Sequence, residues 1–403
     1  MDVVGQTHLP VEADRVDEAV DVVRVLDRVR EHLGMDIAFL SAFTVDSQVV
    51  LATSERTGPM DIVAGDSHDL AETYCVRVAR GELPPAIPSA RRHPITRELP
   101  VTDEMGIGAY IGAPLRGPDG RPVGMLCCLN RGENPLLDAD AVKVMKLAAA
   151  LVEDRVGVFG LPHRAAAVER IQRIRTVIER QDLRMALQPI VRLDTRDTVA
   201  VEALARFDQR WFPNPAVAFA AAASGGQGVA LELLAARTAL SRLDDVPEQA
   251  WLGINLSADA LVDPRTVELL RPYGPRIGVE ITEHSPVTDY DPLVEVTETL
   301  KEAGVHVAVD DAGAGFASLK HVLRLRPTAI KLDIELVRDI DADPVRQVLV
   351  RSVEQFSGAL AAWLVAEGVE TEPERQTLLD LGVTYGQGYL FGAPAWELTG
   401  AMA

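Results

Sequence analysis

The chain has 403 residues, 47% of them hydrophobic and 25% charged, which calls for a soluble globular protein of two or more domains. Its formal net charge of −20 excludes nucleic acid as a bulk polymer partner and an anionic membrane surface. A small phosphate ligand stays possible, because a metal or a few cations can invert the local field.

The opening Met1-Asp2-Val3-Val4 lacks a basic region ahead of an apolar core, and no apolar run reaches the length of a membrane span. Helical apolar spacing predicts a helix over 16–33, and alternation predicts strands over 36–43, 48–53, 110–114 and 123–129. Arg116-Gly117-Pro118-Asp119-Gly120-Arg121 between the last two has the composition of a hairpin loop. A helix follows over 138–156, so this half reads as an α+β layer of antiparallel sheet backed by helices. The three cysteines, Cys75, Cys127 and Cys128, form no metal-spaced set, and a reduced, cytoplasmic compartment is expected. Phe159-Gly160-Leu161-Pro162 breaks the helix, and a second one runs over 163–179. Val168, Ile171, Ile174 and Ile178 form a stripe on it close to a heptad seam. That stripe fits either a helix packed on its own domain or a joint, dimeric or not, between the two halves.

The second half alternates strand and helix. Strands are predicted over 187–191, 199–205, 251–256, 277–281, 305–309, 329–332, 363–366 and 385–390, with helices over 217–243, 291–303, 344–356 and 372–381. Eight strands in this order predict an α/β fold of the (β/α)8-barrel type, with an open doubly wound sheet as the alternative.

Polar groups recur at the ends of these strands: Glu202, Asn255, Glu280, the pair Asp310-Asp311, Lys331, Glu367 and Gln387. A purely structural barrel core would carry Val, Ile and Leu there. Adjacent aspartates on a regular strand face opposite ways, so both can serve one site only if the strand ends and turns, which Gly313 and Gly315 permit. Bare carboxylates held together repel unless a cation lies between them. All the candidate ligands are oxygen donors, which favours Mg²⁺ or Mn²⁺ over zinc. Five carboxylates balance two divalent cations and the Lys331 ammonium. Two such ions about 4 Å apart suit in-line attack on a phosphodiester, with Glu367 able to take a proton and Lys331 able to steer the nucleophile.

With these motifs in order, residues 183–397 resemble the EAL-domain family of cyclic di-GMP phosphodiesterases. The signature stands as Glu202-Ala203-Leu204, joined by Gln188-Pro189-Ile190-Val191, Asn255-Leu256-Ser257, Glu280-Ile281-Thr282-Glu283, Lys331-Leu332-Asp333, Glu367-Gly368-Val369-Glu370 and Gln387-Gly388-Tyr389. The resemblance implies a barrel, often dimeric, that hydrolyses cyclic di-GMP to linear pGpG with two Mg²⁺ or Mn²⁺ ions. It implies Glu202, Asn255, Glu280, Asp310 and Asp311 as metal ligands, Glu367 as ligand or base, and Lys331 as the residue that positions water. Gln188, Leu204 and Arg206 fall at substrate contacts, Arg206 with a donor fork suited to phosphate. Glu283 would brace the loop after the aspartates, and Gln387 would order the water or the metal shell.

The family's loop usually reads Asp-Asp-Phe-Gly-Thr-Gly-Tyr-Ser-Ser; here it is Asp310-Asp311-Ala312-Gly313-Ala314-Gly315-Phe316-Ala317-Ser318. The altered loop gives the alternatives: a receptor that binds cyclic di-GMP without cleaving it, or a protein-interaction module. Residues 17–157 resemble a GAF sensor domain, best over 106–115 and 120–127, which implies a small-molecule pocket of unknown ligand or a dimerising role. Cys75 there reads as a buried structural cysteine, with a thiol sensor or a bilin attachment point as alternatives, although Val76 stands where bilin sites often have histidine. The expected organisation is thus a tail over 1–16, the sensor over 17–157, a linker helix over 158–182, the phosphodiesterase over 183–397 and a tail over 398–403.

Overall fold

A computed structural model describes residues 13–54, 60–117, 119–156, 160–281, 287, 289–312 and 316–398. The chain divides into two compact units, Met1–Gln172 and Arg173–Ala403. Among the described residues, no helix is long and apolar enough to cross a membrane.

The first unit is built on a six-stranded antiparallel sheet of β1 (Ile37–Phe43), β2 (Ser47–Thr53), β3 (Ser67–Asp69), β4 (Ala86–Ile87), β5 (Ala109–Arg116) and β6 (Pro122–Asn130), in the order β3-β2-β1-β6-β5-β4. The hairpin read from the sequence is present as β5 with β6, and the strands predicted over 36–43 and 48–53 pair antiparallel as β1 with β2. β3 and β4 are too short to show a period, which is why alternation does not find them. Successive side chains on a strand face opposite sides, and β6 uses both. Leu126 and Cys128 pack with the helices Ala13–Leu33 and Ala139–Val156. Met125, Cys127 and Leu129 pack on the other face with the helix Tyr74–Ala79.

The next helix runs Leu161–Arg180, with Pro162 in its first turn, where a missing N–H costs nothing. Phe159 of the expected break lies outside the described residues. Of the stripe on this helix, Val168 packs against the core of the first unit. Ile174 is fully buried in the core of the second, with Ile178 beside it.

The second unit is a closed barrel of β7 (Arg184–Arg192), β8 (Thr198–Arg206), β9 (Trp251–Leu256), β10 (Ile277–Ile281), β11 (His306–Ala312), β12 (Ala329–Leu332), β13 (Trp363–Ala366) and β14 (Tyr385–Gln387). Closure rules out the open doubly wound sheet. One feature departs from an all-parallel barrel: β7 is antiparallel to both β8 and β14. The five residues 193–197 joining β7 to β8 make a hairpin, far too short for a parallel crossover.

Three expected elements are corrected. The helix expected over 217–243 is two, Pro215–Ser224 and Gly228–Leu240. Gly226 between them has φ +68°, a left-handed conformation that stops the first helix. The strand expected to reach 390 stops at Gln387, and Phe391 N–H donates to the Gly388 carbonyl at 3.0 Å in the turn that follows. The strand expected to end at 309 continues to Ala312. Its register against β12 slips between Val309 and Ala312, so three steps on β11 oppose two on β12. A bulge, not a strand end, thus breaks the alternation at the aspartate pair.

Candidate active site in the barrel lumen

Alternation along the barrel strands sorts residues into two sets. Val201, Leu252, Ile254, Val279, Val307, Ile330 and Leu364 join the core between strands and helices. Their sequence neighbours therefore face the lumen. At one end the lumen is filled by rings: Trp251 stacks on His306 at 5.2 Å, His306 lies 5.9 Å from Trp363, and Trp363 stacks on Tyr385 at 4.6 Å. Further along the same strands the lumen becomes polar: Gln387 stands two residues beyond Tyr385, and Asn255, Asp310 and Glu367 stand four beyond Trp251, His306 and Trp363. That is why charged residues sit inside apolar runs of sequence.

Lys331 on β12 is the centre of this polar layer and is 2% exposed. Its ammonium lies 2.6 Å from Glu367, 2.7 Å from Glu280, 3.3 Å from Glu202 and 3.6 Å from Asp310. The four carboxylates come from the end of β13, from β10, from β8 and from the bulge of β11. Burial alone would push the ammonium pKa down, but the carboxylates hold it well above the ordinary lysine value.

The carboxylates differ in their surroundings. Burial raises Glu202, yet Lys331 and hydrogen bonds from Gln387 and Asn255 outweigh it and keep that carboxyl below its usual range. Asn255 Nδ2 donates to Glu202 Oε1 at 2.7 Å and Gln387 Nε2 to Glu202 Oε2, also at 2.7 Å. Burial and then the Glu202 charge push Glu280 well above its usual range. Burial pushes Glu367 to about 8 despite the lowering by Lys331.

Gln387 also donates to Gln188 Oε1 at 3.0 Å, and Gln188 Nε2 donates to the Gly392 carbonyl at 3.1 Å. These bonds link Gln188 on β7, Glu202 on β8 and Gln387 on β14. Leu204 and Arg206 follow on β8, both half-buried, and Arg206 Nη1 donates to the Ala205 carbonyl at 2.9 Å. The structure therefore brings Glu202, Asn255, Glu280, Asp310, Lys331, Glu367, Gln387 and Gln188 together. Glu283 and the Asp311 side chain lie outside the described residues, as do Gly313, Ala314 and Gly315 of the altered loop.

Sequence reasoning misses one member of the layer. A Cβ on Gly253 would stand 2.1 Å from Glu280 Oε1, so only glycine leaves room for that carboxylate. Gly253 lies directly across from Glu202. Its signal, a lone glycine inside the apolar run Trp251-Leu252-Gly253-Ile254, marks a close approach of this kind.

The donor set fits a hard divalent cation. Four carboxylates around one ammonium leave excess negative charge in a buried place. Glu280 Oε1 and Gln387 Oε1 are buried acceptors without a hydrogen-bond partner. All the available ligands are oxygens, which suits Mg²⁺ or Mn²⁺. Among the described residues, no three carboxylates close on one point at metal-ligand spacing; they close on Lys331.

Comparison with known proteins identifies a domain in each half of the chain. A family model for the EAL domain matches residues 171–394, and one for the GAF domain matches residues 22–156. The chain is 35% identical over 151 residues to the cyclic di-GMP phosphodiesterase PdeR of Escherichia coli K12, covering 36% of this chain and 23% of that protein. It is 31% identical over 232 residues to the probable cyclic di-GMP phosphodiesterase PdeB of the same organism, covering 54% and 44%. The chain thus spans less than half the length of either relative. The solved structure of the PaMucR phosphodiesterase in complex with c-di-GMP superposes with a TM-score of 0.51 at 26% identity, covering 56% of this chain and 97% of that one.

Proposed function

This chain belongs to the EAL-domain family, and from that premise we propose that its barrel hydrolyses cyclic di-GMP to linear pGpG with Mg²⁺ or Mn²⁺ at two positions. The observation that carries the reading is the Lys331 ammonium within 2.6–3.6 Å of four carboxylates supplied by four separate strands. Glu202, Asn255, Glu280, Asp310, Asp311 and Glu367 are the residues that would hold the ions. Bound there, divalent cations supply positive charge to the attacking and leaving oxygens of the phosphodiester.

The chain's own groups do the rest. Lys331, a permanent ammonium, donates to the attacking water and fixes its direction. Glu367, at the end of β13 beside Lys331, is placed to take the water proton on its carboxylate. Arg206 offers a planar donor fork to a phosphate, and Gln188 and Leu204 line the approach of the nucleotide. Gln387 ties Gln188 to Glu202 through hydrogen bonds at 3.0 and 2.7 Å, so that substrate contact and metal ligand share one support. The first unit acts as regulator of the barrel through a small molecule, and the protein works as a homodimer.

Purified full-length protein with Mn²⁺ is expected to release pGpG, with Glu202→Ala or Asp310→Ala reducing release to background. A second reading is motivated by Ala312 and Ala314, where the family's usual loop would have Phe and Thr: a receptor that binds cyclic di-GMP and leaves it intact. Binding by calorimetry without product under either metal selects that reading.

A further inference from the structure

We propose that Cys75 and Cys127 form a peroxide-reactive dithiol in the first unit, in which hydrogen peroxide oxidises Cys75 and Cys127 then closes a disulfide. Cys75 lies on the helix Tyr74–Ala79 and Cys127 on β6. Both are free and buried, and their sulfurs lie 3.0 Å apart. A disulfide bond needs about 2.05 Å, so the two sulfurs have only about 1 Å to travel.

The two thiols are not equivalent. Cys75 lines a cavity of about 40 Å³, together with Gln48, His68 and Tyr110, and Cys127 lies outside that lining. Cys75 is therefore the sulfur an entering molecule meets first. Tyr110 Oη donates to Cys75 Sγ at 3.5 Å and lies 3.4 Å from Cys127 Sγ, so one hydroxyl touches both. Burial raises the Cys75 pKa, but hydrogen bonds from Cys127 and Tyr110 outweigh it and bring that thiol below its ordinary value. Burial and the neighbouring Cys75 push Cys127 well above its own. Gln48 donates to Ser41 Oγ at 2.8 Å, while its Oε1 is buried without a partner. That oxygen can accept from a small O–H donor in the cavity.

The size of the cavity selects the oxidant. About 40 Å³ holds roughly three water-sized molecules. Hydrogen peroxide fits this space and a tripeptide disulfide does not. The Cys75 thiolate attacks one peroxide oxygen, the O–O bond breaks, and the leaving oxygen takes a proton as water. Cys75 is then a sulfenic acid. The Cys127 sulfur attacks Cys75 Sγ, the S–O bond breaks, and the hydroxyl leaves with the Cys127 proton as a second water. Two thiols and one peroxide thus give one disulfide and two waters. Cys128 packs on the opposite face of the sheet with a different core and stays out of the reaction.

The test uses the reduced full-length chain, treated with one equivalent of hydrogen peroxide, alkylated, digested and analysed by mass spectrometry. Free thiols should fall from three to one, reversibly with dithiothreitol. In the Cys128→Ser variant the peptide carrying Cys75 should be cross-linked to the one carrying Cys127. Tyr110→Phe should slow the reaction about tenfold, and oxidised glutathione should give no cross-link. Over-oxidation of Cys75 without a cross-link, a bond to Cys128, or glutathione disulfide reacting as fast as peroxide would each overturn the assignment.

Discussion

Lys331 holds together charges that would otherwise repel. Its ammonium, 2% exposed, is the cation shared by Glu202, Glu280, Asp310 and Glu367. Removing one partner of a buried ion pair costs about 3–5 kcal/mol. Lys331→Met should therefore unfold at markedly lower urea concentration in chelator, by about that amount, and lose hydrolysis; an unchanged midpoint would show that the carboxylates do not depend on the ammonium. Gly253 makes a different prediction. An alanine there would put its Cβ 2.1 Å from Glu280 Oε1, an overpacking that costs about 1–3 kcal/mol. Gly253→Ala should lose that stability and displace the Glu280 carboxylate, lowering turnover. Glu202, Glu280 and Lys331 were legible in the sequence because charge inside an apolar run is conspicuous. Gly253 was not, because the atom that needs the space belongs to a side chain on another strand.

The barrel strands carry two layers, rings at one end and charges at the other, and the ring layer has its own pH dependence. Burial holds His306, between Trp251 and Trp363, below the ordinary imidazole value. Below about pH 6.5 the unfolded chain takes up a proton that the folded chain refuses. The effect is absent at higher pH and grows on acidification, so stability should fall between about pH 7.5 and pH 5.5. His306→Phe should flatten that part of the urea-midpoint profile, and equal slopes in the two proteins would contradict the account. At this scale the strands were legible because apolar runs are bounded by turn residues. Their direction was not: alternation is the same for either polarity, so the antiparallel β7 emerges only from the brevity of its hairpin. The Ala-rich stretch before Gly225-Gly226 carried helical spacing through a break that one left-handed glycine imposes.

On the scale of the whole molecule, an α+β unit precedes a closed barrel, each with its own core. The net charge of −20 and the proposed dianionic nucleotide substrate are compatible if cations bound at the site invert the local field. Sequence order reveals which residues line one strand end, because equivalent strands repeat the same placement. It does not reveal a pair such as Cys75 and Cys127, which lie far apart in the chain and meet only when a helix packs on a sheet. The central claim is that the carboxylates around Lys331 are a hydrolytic metal site. The most direct test is chromatographic detection of pGpG from cyclic di-GMP and full-length protein, with Mg²⁺ or Mn²⁺ and again with chelator, alongside Glu202→Ala. The account predicts product only with metal and only with Glu202 in place; cyclic di-GMP bound tightly and recovered intact under both metals would contradict it.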